Sequence, residues 1–141
     1  MSRARKALSD SDYRSLAEFR FLLRQFLAFS EKAARKVGLD PQKHQALLAI
    51  RGFGGNLTIG ELAQKLLIRP HSAVGLVDRL VESGYVRRNS GEIDRRRVTL
   101  SLTAAAEKLL GSLSEAHRNE LTRLSPALKP VLDSWDDADG A

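Results

Sequence analysis

The chain contains no cysteine. Disulfides, thiolate metal sites and thiol-based redox sensing are therefore excluded, and the composition suits a reducing compartment. Histidine is scarce as well, with three residues, His44, His71 and His117. Their spacing matches no metal-ligand pattern, so core or surface roles are the simpler account, and no metal or cofactor is expected. No apolar run approaches the ~20 residues of a membrane span, and the basic N-terminus lacks the apolar stretch of a signal peptide. The cytoplasm is the expected location, with no membrane partner. Without a cysteine, a plausible triad or a carboxylate–histidine cluster there is no activated nucleophile, so an enzyme is not expected.

What is present fits one soluble globular unit: 141 residues, 43% hydrophobic and 28% charged, enough to bury a core. A formal charge of +6 and an isoelectric point near 10.1 favour an anionic partner. Basic balance alone does not separate DNA from RNA or an acidic membrane surface. The positions of the charges have to decide.

Residues 1–11 are polar and basic (Arg3, Arg5, Lys6) and are expected to fray, as a solubilising tail or as an arm touching nucleic acid. From Asp12 to Lys36 there is no proline or glycine, and Leu16, Phe19, Leu22, Leu23, Phe26, Leu27 and Phe29 recur at helical spacings. One long helix is predicted. Its apolar band is wider than a surface helix needs, since Phe21 and Phe29 fall beside the main row of Leu16, Phe19, Leu23 and Phe26. Four of the chain's five phenylalanines lie between Phe19 and Phe29. They suit core or dimer packing, or a pocket for an aromatic ligand. Gly38 ends this helix, and Asp40 with Pro41 opens the next as N-cap and first helical residue. That helix runs to about Arg51 with Ala46, Leu47, Ala49 and Ile50 inward. The glycines between Gly52 and Gly55 form a linker, lacking the lysine and preceding strand of a phosphate loop.

Thr58 and Glu61 match a capping box at the start of a short helix with Leu62, Ala63 and Leu66 inward. Leu67 to Arg69 make a turn, and Pro70 suits the first position of a second helix. There Ala73, Leu76, Val77 and Leu80 stand at i, i+3, i+4 and i+7, which leaves the opposite face for a partner. Ser83 and Gly84 stop it. Tyr85 to Arg88 reads as a strand, Asn89 to Gly91 as a turn, and Val98, Leu100 and Leu102 as the inward residues of the returning strand. Thr103 caps a long helical pattern with Leu109, Leu110, Leu113, Leu121 and Leu124, ending at Ser125–Pro126. A separate short helix is expected after it, with Leu128, Val131, Leu132 and Trp135 on one stripe. The acidic end, Asp133 to Asp139, reads as a solvated tail.

Helix, turn, helix, strand, arginine-rich loop and strand, in that order from Thr58 to Thr103, make a winged helix-turn-helix. The fold class is mainly α with a small two- or three-stranded β-wing. A major groove ~12 Å wide admits one helix, led by its N-terminal residues. Here these are Pro70, His71, Ser72, Val74 and Gly75. His71 and Ser72 can hydrogen-bond bases or phosphates, Val74 can meet a thymine methyl, and Gly75 permits close approach, while Arg79 is placed for phosphate. His71 reads equally as an ordinary exposed helix-start residue. Five arginines, Arg87, Arg88, Arg95, Arg96 and Arg97, fall within eleven residues, with Glu92 and Asp94 the acids among them. They would repel one another unless an anion or acids shared the site; Asp94 alone cannot neutralise them, and DNA phosphate fits. Asp94 stands close enough to hold the Arg96 guanidinium. A solvated charge run is the plainer alternative.

From about Asp12 to Leu132 the chain resembles the MarR (multiple antibiotic resistance regulator) family of bacterial transcriptional regulators. The resemblance is carried by Thr58-Ile59-Gly60-Glu61-Leu62-Ala63, by Gly75 through Arg88, by Asp94-Arg95-Arg96-Arg97 and by Leu100-Ser101-Leu102-Thr103. It implies a triangular, intertwined helical homodimer binding palindromic promoter DNA, with Asp94 and Arg96 matching the family's wing-tip pair. One N-terminal and two C-terminal helices of each chain would interlock. Residues 1–36 and 104–141 would then serve dimerisation and residues 37–103 DNA binding. The dimer contacts expected are Leu16, Phe19, Leu23, Phe26, Leu121, Leu128, Leu132 and Trp135. Many members are repressors released by small, often phenolic, anions, which implies a small aromatic or anionic effector. Its site is unknown, with Phe26, Phe29, His44 and Arg51 as candidate lining. Val74 and Gly75 depart from the hydroxyl or basic residues often found at those positions, and the missing cysteine excludes the thiol peroxide-sensing branch. The alternative function is a winged-helix protein-interaction module docking on an acidic partner.

Overall fold

In a computed structural model, residues 7–136 are described, apart from the Asp136 side chain. The elements in order are α1 (Asp10–Lys36), α2 (Pro41–Gly52), α3 (Ile59–Leu66), α4 (Pro70–Glu82), β1 (Val86–Ser90), β2 (Val98–Leu102) and α5 (Ala104–Asp136). The basic residues Arg3, Arg5 and Lys6 and the acidic residues beyond Asp136 lie outside the described residues.

Side-chain caps set several helix starts. Helix α1 begins two residues earlier than expected. The Ser9 N–H donates to Asp12 Oδ2 at 2.9 Å and the Asp12 N–H donates to Ser9 Oγ at 3.2 Å, a reciprocal cap over a Ser-x-x-Asp spacing. At α2 the Asp40 carboxylate accepts from the Gln42 N–H at 2.9 Å, with Pro41 at the first helical position. At α3 the capping box is complete: the Glu61 N–H donates to Thr58 Oγ1 at 3.2 Å and the Thr58 N–H donates to Glu61 Oε1 at 3.3 Å. Thr103 starts α5, accepting from the Ala106 N–H at 3.3 Å while its own hydroxyl donates to the Gly84 carbonyl at 2.7 Å. One threonine thus ties the exit of α4 to the entry of α5.

The described residues form two compact units. The winged unit runs from Glu31 to Ala116. Its core is built from Leu47 and Ile50 of α2, Leu62 of α3, Leu76, Val77 and Leu80 of α4 and Leu100 of β2, all fully buried. Ala34 from the end of α1 and Ala106, Leu110 and Leu113 from the start of α5 join the same core. The unit boundaries therefore fall inside the two long helices. The second unit pairs α1 up to Ser30 with α5 from His117, around Leu22, Leu124 and Val131. None of the described helices is long and apolar enough to cross a membrane.

Two expectations are corrected. The break anticipated at Ser125–Pro126 is absent: α5 is one helix of 33 residues with Pro126 and Pro130 inside it. Each proline removes one N–H and frees one carbonyl four residues back. Pro126, Pro130 and Thr122 are all exposed, so the freed carbonyls of Thr122 and Pro126 are on the side where water can serve them. The strand β1 also reaches further than its sequence suggested, because Asn89 and Ser90 pair with Thr99 and Val98 instead of turning. The sheet has two strands. Leu57, which belongs to no strand, accepts the Leu100 N–H through its carbonyl at 2.8 Å.

Leu67, in the turn between α3 and α4, has φ 55 and ψ 41 and is 92% exposed. A left-handed backbone costs an L-residue about 1–2 kcal/mol, and an exposed side chain recovers almost nothing by burial. Leu67→Gly should therefore stabilise the chain by roughly 0.5–1 kcal/mol after the extra unfolded-state entropy of glycine. Calorimetry should show the melting temperature rising by about 2–4 °C; a fall would mean that this leucine is covered in the assembled protein.

Candidate nucleic-acid interface

Helix α4 is seated by its buried stripe of Ala73, Leu76, Val77 and Leu80. The seating turns Pro70, His71, Ser72, Val74 and Arg79 outward, with Gly75 half-buried. Arg69 occupies the N-cap with no side-chain cap, and the first turn bond runs from the Ala73 N–H to the Arg69 carbonyl at 3.1 Å. The N–H groups of His71 and Ser72 thus lack intrahelical partners at the positive end of the helix dipole, an arrangement suited to an anion. Arg79 runs back along the helix, as long helical side chains do. Its Nη1 stands 3.4 Å from where a Cβ on Gly75 would be. The space over Gly75 is filled by this guanidinium.

The wing tip spans Gly91 to Arg97. The Gly91 N–H donates to the Arg97 carbonyl at 2.8 Å, and the Arg97 N–H donates to the Asp94 carbonyl at 3.1 Å. A Cβ on Gly91 would lie 2.3 Å from the Asp94 carbonyl oxygen, so this close approach needs glycine. Asp94 Oδ1 accepts from the Arg96 backbone N–H at 3.0 Å, while the Arg96 Nε is 3.8 Å away and its side chain is 97% exposed. The carboxylate therefore braces the turn backbone more firmly than the guanidinium.

Acids from other elements balance part of the arginine cluster. Arg88 pairs with Asp78 of α4, and Arg97 Nη2 lies 3.6 Å from Glu61 Oε1 of α3. Arg87 and Arg95 have no ion-pair partner among the described residues. Of the sequence-selected arginines, Arg88 and Arg97 fasten the wing to the two helices, while Arg87, Arg95 and Arg96 are the more available cations. Hydrogen bonds from the Thr58 hydroxyl and backbone N–H, with the charges of Arg97 and Lys65, hold the Glu61 carboxyl below the usual glutamate range.

The residues expected at a dimer contact all lie in the second unit. Leu16, Phe19, Leu23, Leu121 and Leu132 are exposed, whereas Phe26 and Leu128 pack against the small core. Leu16, Phe19, Leu132 and Trp135 line one apolar groove with Val131. The residues considered for an effector divide differently: Phe26 and Phe29 belong to the second unit, His44 and Arg51 to the winged unit. His44 is buried, and Arg51 Nε is 3.1 Å from Glu107 Oε1. Phe26 and Phe29 meet the buried His117 edge-on, with centroids at 5.8 and 5.5 Å, and His117 Nε2 is 2.7 Å from Ser30 Oγ. His117 was not singled out from the sequence, though it falls four residues after Leu113 on the inward stripe. Asp78 and Glu61 as arginine partners carried no local signal.

A cored helix pair presenting the start of its second helix, followed by a cationic two-stranded hairpin, defines a winged helix-turn-helix, a DNA-binding fold. A sequence model of the MarR family matches residues 37–97. The chain is 37% identical over 95 residues to the uncharacterized HTH-type transcriptional regulator YfiV of Bacillus subtilis (strain 168), covering 67% of this chain and 59% of YfiV. It is thus similar over less than two thirds of that relative. Against the uncharacterized HTH-type transcriptional regulator YcgE of the same organism it is 33% identical over 109 residues, covering 77% and 70% of the two chains. A solved structure of a mutant S. aureus MepR bound to an oligodeoxyribonucleotide shares the fold at a TM-score of 0.64 and 17% identity, covering 90% of this chain and 91% of that one. The chain belongs to the MarR family of transcriptional regulators.

Two outcomes test the local geometry. Gly91→Ala should open the tip, seen as faster amide exchange at Arg97 with the helical content retained. Because the Glu61 carboxyl is depressed in the folded chain, its contribution to stability is present above the unfolded glutamate pKa and lost as pH falls through the folded value. In Thr58→Val, which keeps the backbone N–H but loses the hydroxyl, an NMR titration should find the Glu61 midpoint moved up toward that of an ordinary glutamate; an unmoved midpoint would assign the depression to the backbone N–H, Arg97 and Lys65 instead.

Proposed function

We propose that the protein is a homodimeric transcriptional regulator that binds palindromic duplex DNA as a repressor and is released by a small aromatic or anionic ligand. The observation that carries the DNA part is the pairing, in one cored unit, of an uncapped and outward α4 start with a wing whose Arg87 and Arg95 have no acidic partner among the described residues. Backbone N–H groups and guanidinium groups are the two donors that phosphate recognition uses most. Binding of the related MepR mutant to an oligodeoxyribonucleotide agrees with this reading. His71, Ser72 and Val74 would face the major groove, and Arg79, Arg87, Arg95 and Arg96 would meet phosphates or the minor groove.

The apolar face of the second unit supports the homodimer. Leu16, Phe19, Leu23, Leu121 and Leu132 together expose more apolar surface than a small monomeric unit needs, and a second copy is the self-complementary cover. Two-fold symmetry then sets two α4 helices on one DNA face, ~34–36 Å apart. Release by ligand is the family's usual behaviour. An effector that weakened DNA binding would have to prefer a dimer with a different separation of the two α4 helices.

Titration of labelled duplex at several salt concentrations tests the core of this. With 6–10 phosphates engaged, affinity should fall roughly 10³- to 10⁵-fold between 50 and 200 mM salt. Arg96→Ala should weaken binding and lower the salt slope by about one per protomer. A flat salt response, with capture of an acidic protein instead, would favour a protein-interaction module. For the dimer, sedimentation of Phe19→Glu should show a single-chain mass where the parent shows twice that.

A further inference from the structure

Ile93 sits at the tip of the wing and is fully exposed, at 103% of its reference area. It lies between Glu92 and Asp94, inside the Gly91–Arg97 turn closed by two backbone hydrogen bonds. No other apolar side chain stands in that turn, and the neighbouring apolar residue Val98 is already half-buried in β2. Ile93 therefore contributes nothing to the core and projects from the most cationic segment of the chain. The turn that carries it is braced by its own backbone and by Asp94. Gly91 admits the Asp94 carbonyl at a distance no other residue would allow, and the Asp94 carboxylate is occupied by the Arg96 N–H.

These features together are those of a wedge. Isoleucine is branched at Cβ and held to few rotamers, so ordering it costs little. Arg95 and Arg96 follow two and three residues after it, beyond an Asp94 whose carboxylate is tied to the Arg96 N–H, and guanidinium groups are drawn to the enhanced negative potential of a narrow minor groove. A minor groove ~6 Å wide takes a hairpin tip of this kind but not a helix. Apolar side chains delivered there partly unstack a base step and bend the duplex away. The energy of doing so depends on the step, being lowest for flexible pyrimidine–purine steps.

We propose that Ile93 is a specificity-determining residue: the wing inserts it at one minor-groove base step beside each half-site, and the protein thereby selects for deformability at that step. This rests on the duplex-DNA reading given above. The ligand chemistry is a flexible, A·T-containing pyrimidine–purine step, read through its stacking energy, with no hydrogen bond from the side chain.

The test uses the full chain and a duplex that the wild-type protein itself selects from a randomised pool. Two versions are made, one with a TA step and one with a GC step at the position flanking the half-site, each with a 2-aminopurine reporter beside the step. The wild-type protein should prefer the TA duplex by about tenfold, within the usual range for one base-pair change, and should raise the reporter fluorescence on binding. Ile93→Ala should bind both duplexes equally, at the level the parent shows for the GC version, with the parent's salt slope and no fluorescence rise. Ile93→Met, which keeps a long apolar side chain, should restore part of the preference. Circular dichroism should show all variants folded, since the residue is outside the core. A preference and fluorescence rise that survive in Ile93→Ala, or that are absent from the wild type, would overturn the wedge while leaving the DNA reading standing. If no duplex is recovered from the pool, both fall together.

Discussion

Positive charge crowded onto a short hairpin is the constraint on which the winged unit depends. Five arginines within eleven residues cannot be held close without compensation, and the hairpin's own acids are too few. The chain resolves this by borrowing carboxylates from the two helices of the helix-turn-helix. Asp78 of α4 takes Arg88, and Glu61 of α3 takes Arg97. The same pairs orient the wing against the recognition helix. These pairs are solvent-exposed and worth little each in stability, so their value lies in register, leaving Arg87, Arg95 and Arg96 as the more available charges.

Glu61 connects three structural tasks. It closes the capping box that starts α3, it accepts from the Thr58 hydroxyl at 2.9 Å, and it faces Arg97 across the wing. Thr103 does the comparable work at the other end, capping α5 while holding the Gly84 carbonyl where α4 ends. Between these two fastenings the buried row of α4 leaves the helix no freedom to roll, because Ala73, Leu76, Val77 and Leu80 all sit in the core. The outward face of the helix is consequently a rigid surface, as recognition of a groove requires.

The second unit follows another logic. Its core is small, built on Leu22, Leu124 and Val131, and Leu16, Phe19, Leu23, Leu121 and Leu132 stay exposed. The continuous α5 makes this face long, and its prolines are tolerated because they lie on the exposed side. His117 is the polar exception, satisfied by Ser30 and edged by two phenylalanines. The Phe19 to Phe29 run thus divides between positions packed within its own chain and positions left exposed.

Much of the fold was legible in the sequence because local physics decides it. The capping box at Thr58, Pro41 and Pro70 at helix starts, Gly84 at a helix end and the period of α4 are each set by neighbours a few residues away. Where the sequence misled, a proline rule or a turn signal was outvoted by context: water can reach the carbonyls freed in α5, and cross-strand pairing drew Asn89 and Ser90 into β1. The candidate site was legible in its cations but not in their division of labour. Which arginines are spent on Glu61 and Asp78, and that His117 lies between two phenylalanines, are decided by residues brought together from different elements. The sequence by itself determined most of the elements, their order and the excess of positive charge, since these depend on local preference and composition. Only the tertiary structure decided which charges are neutralised and which apolar side chains stay exposed, because that depends on distances between elements that no local spacing encodes.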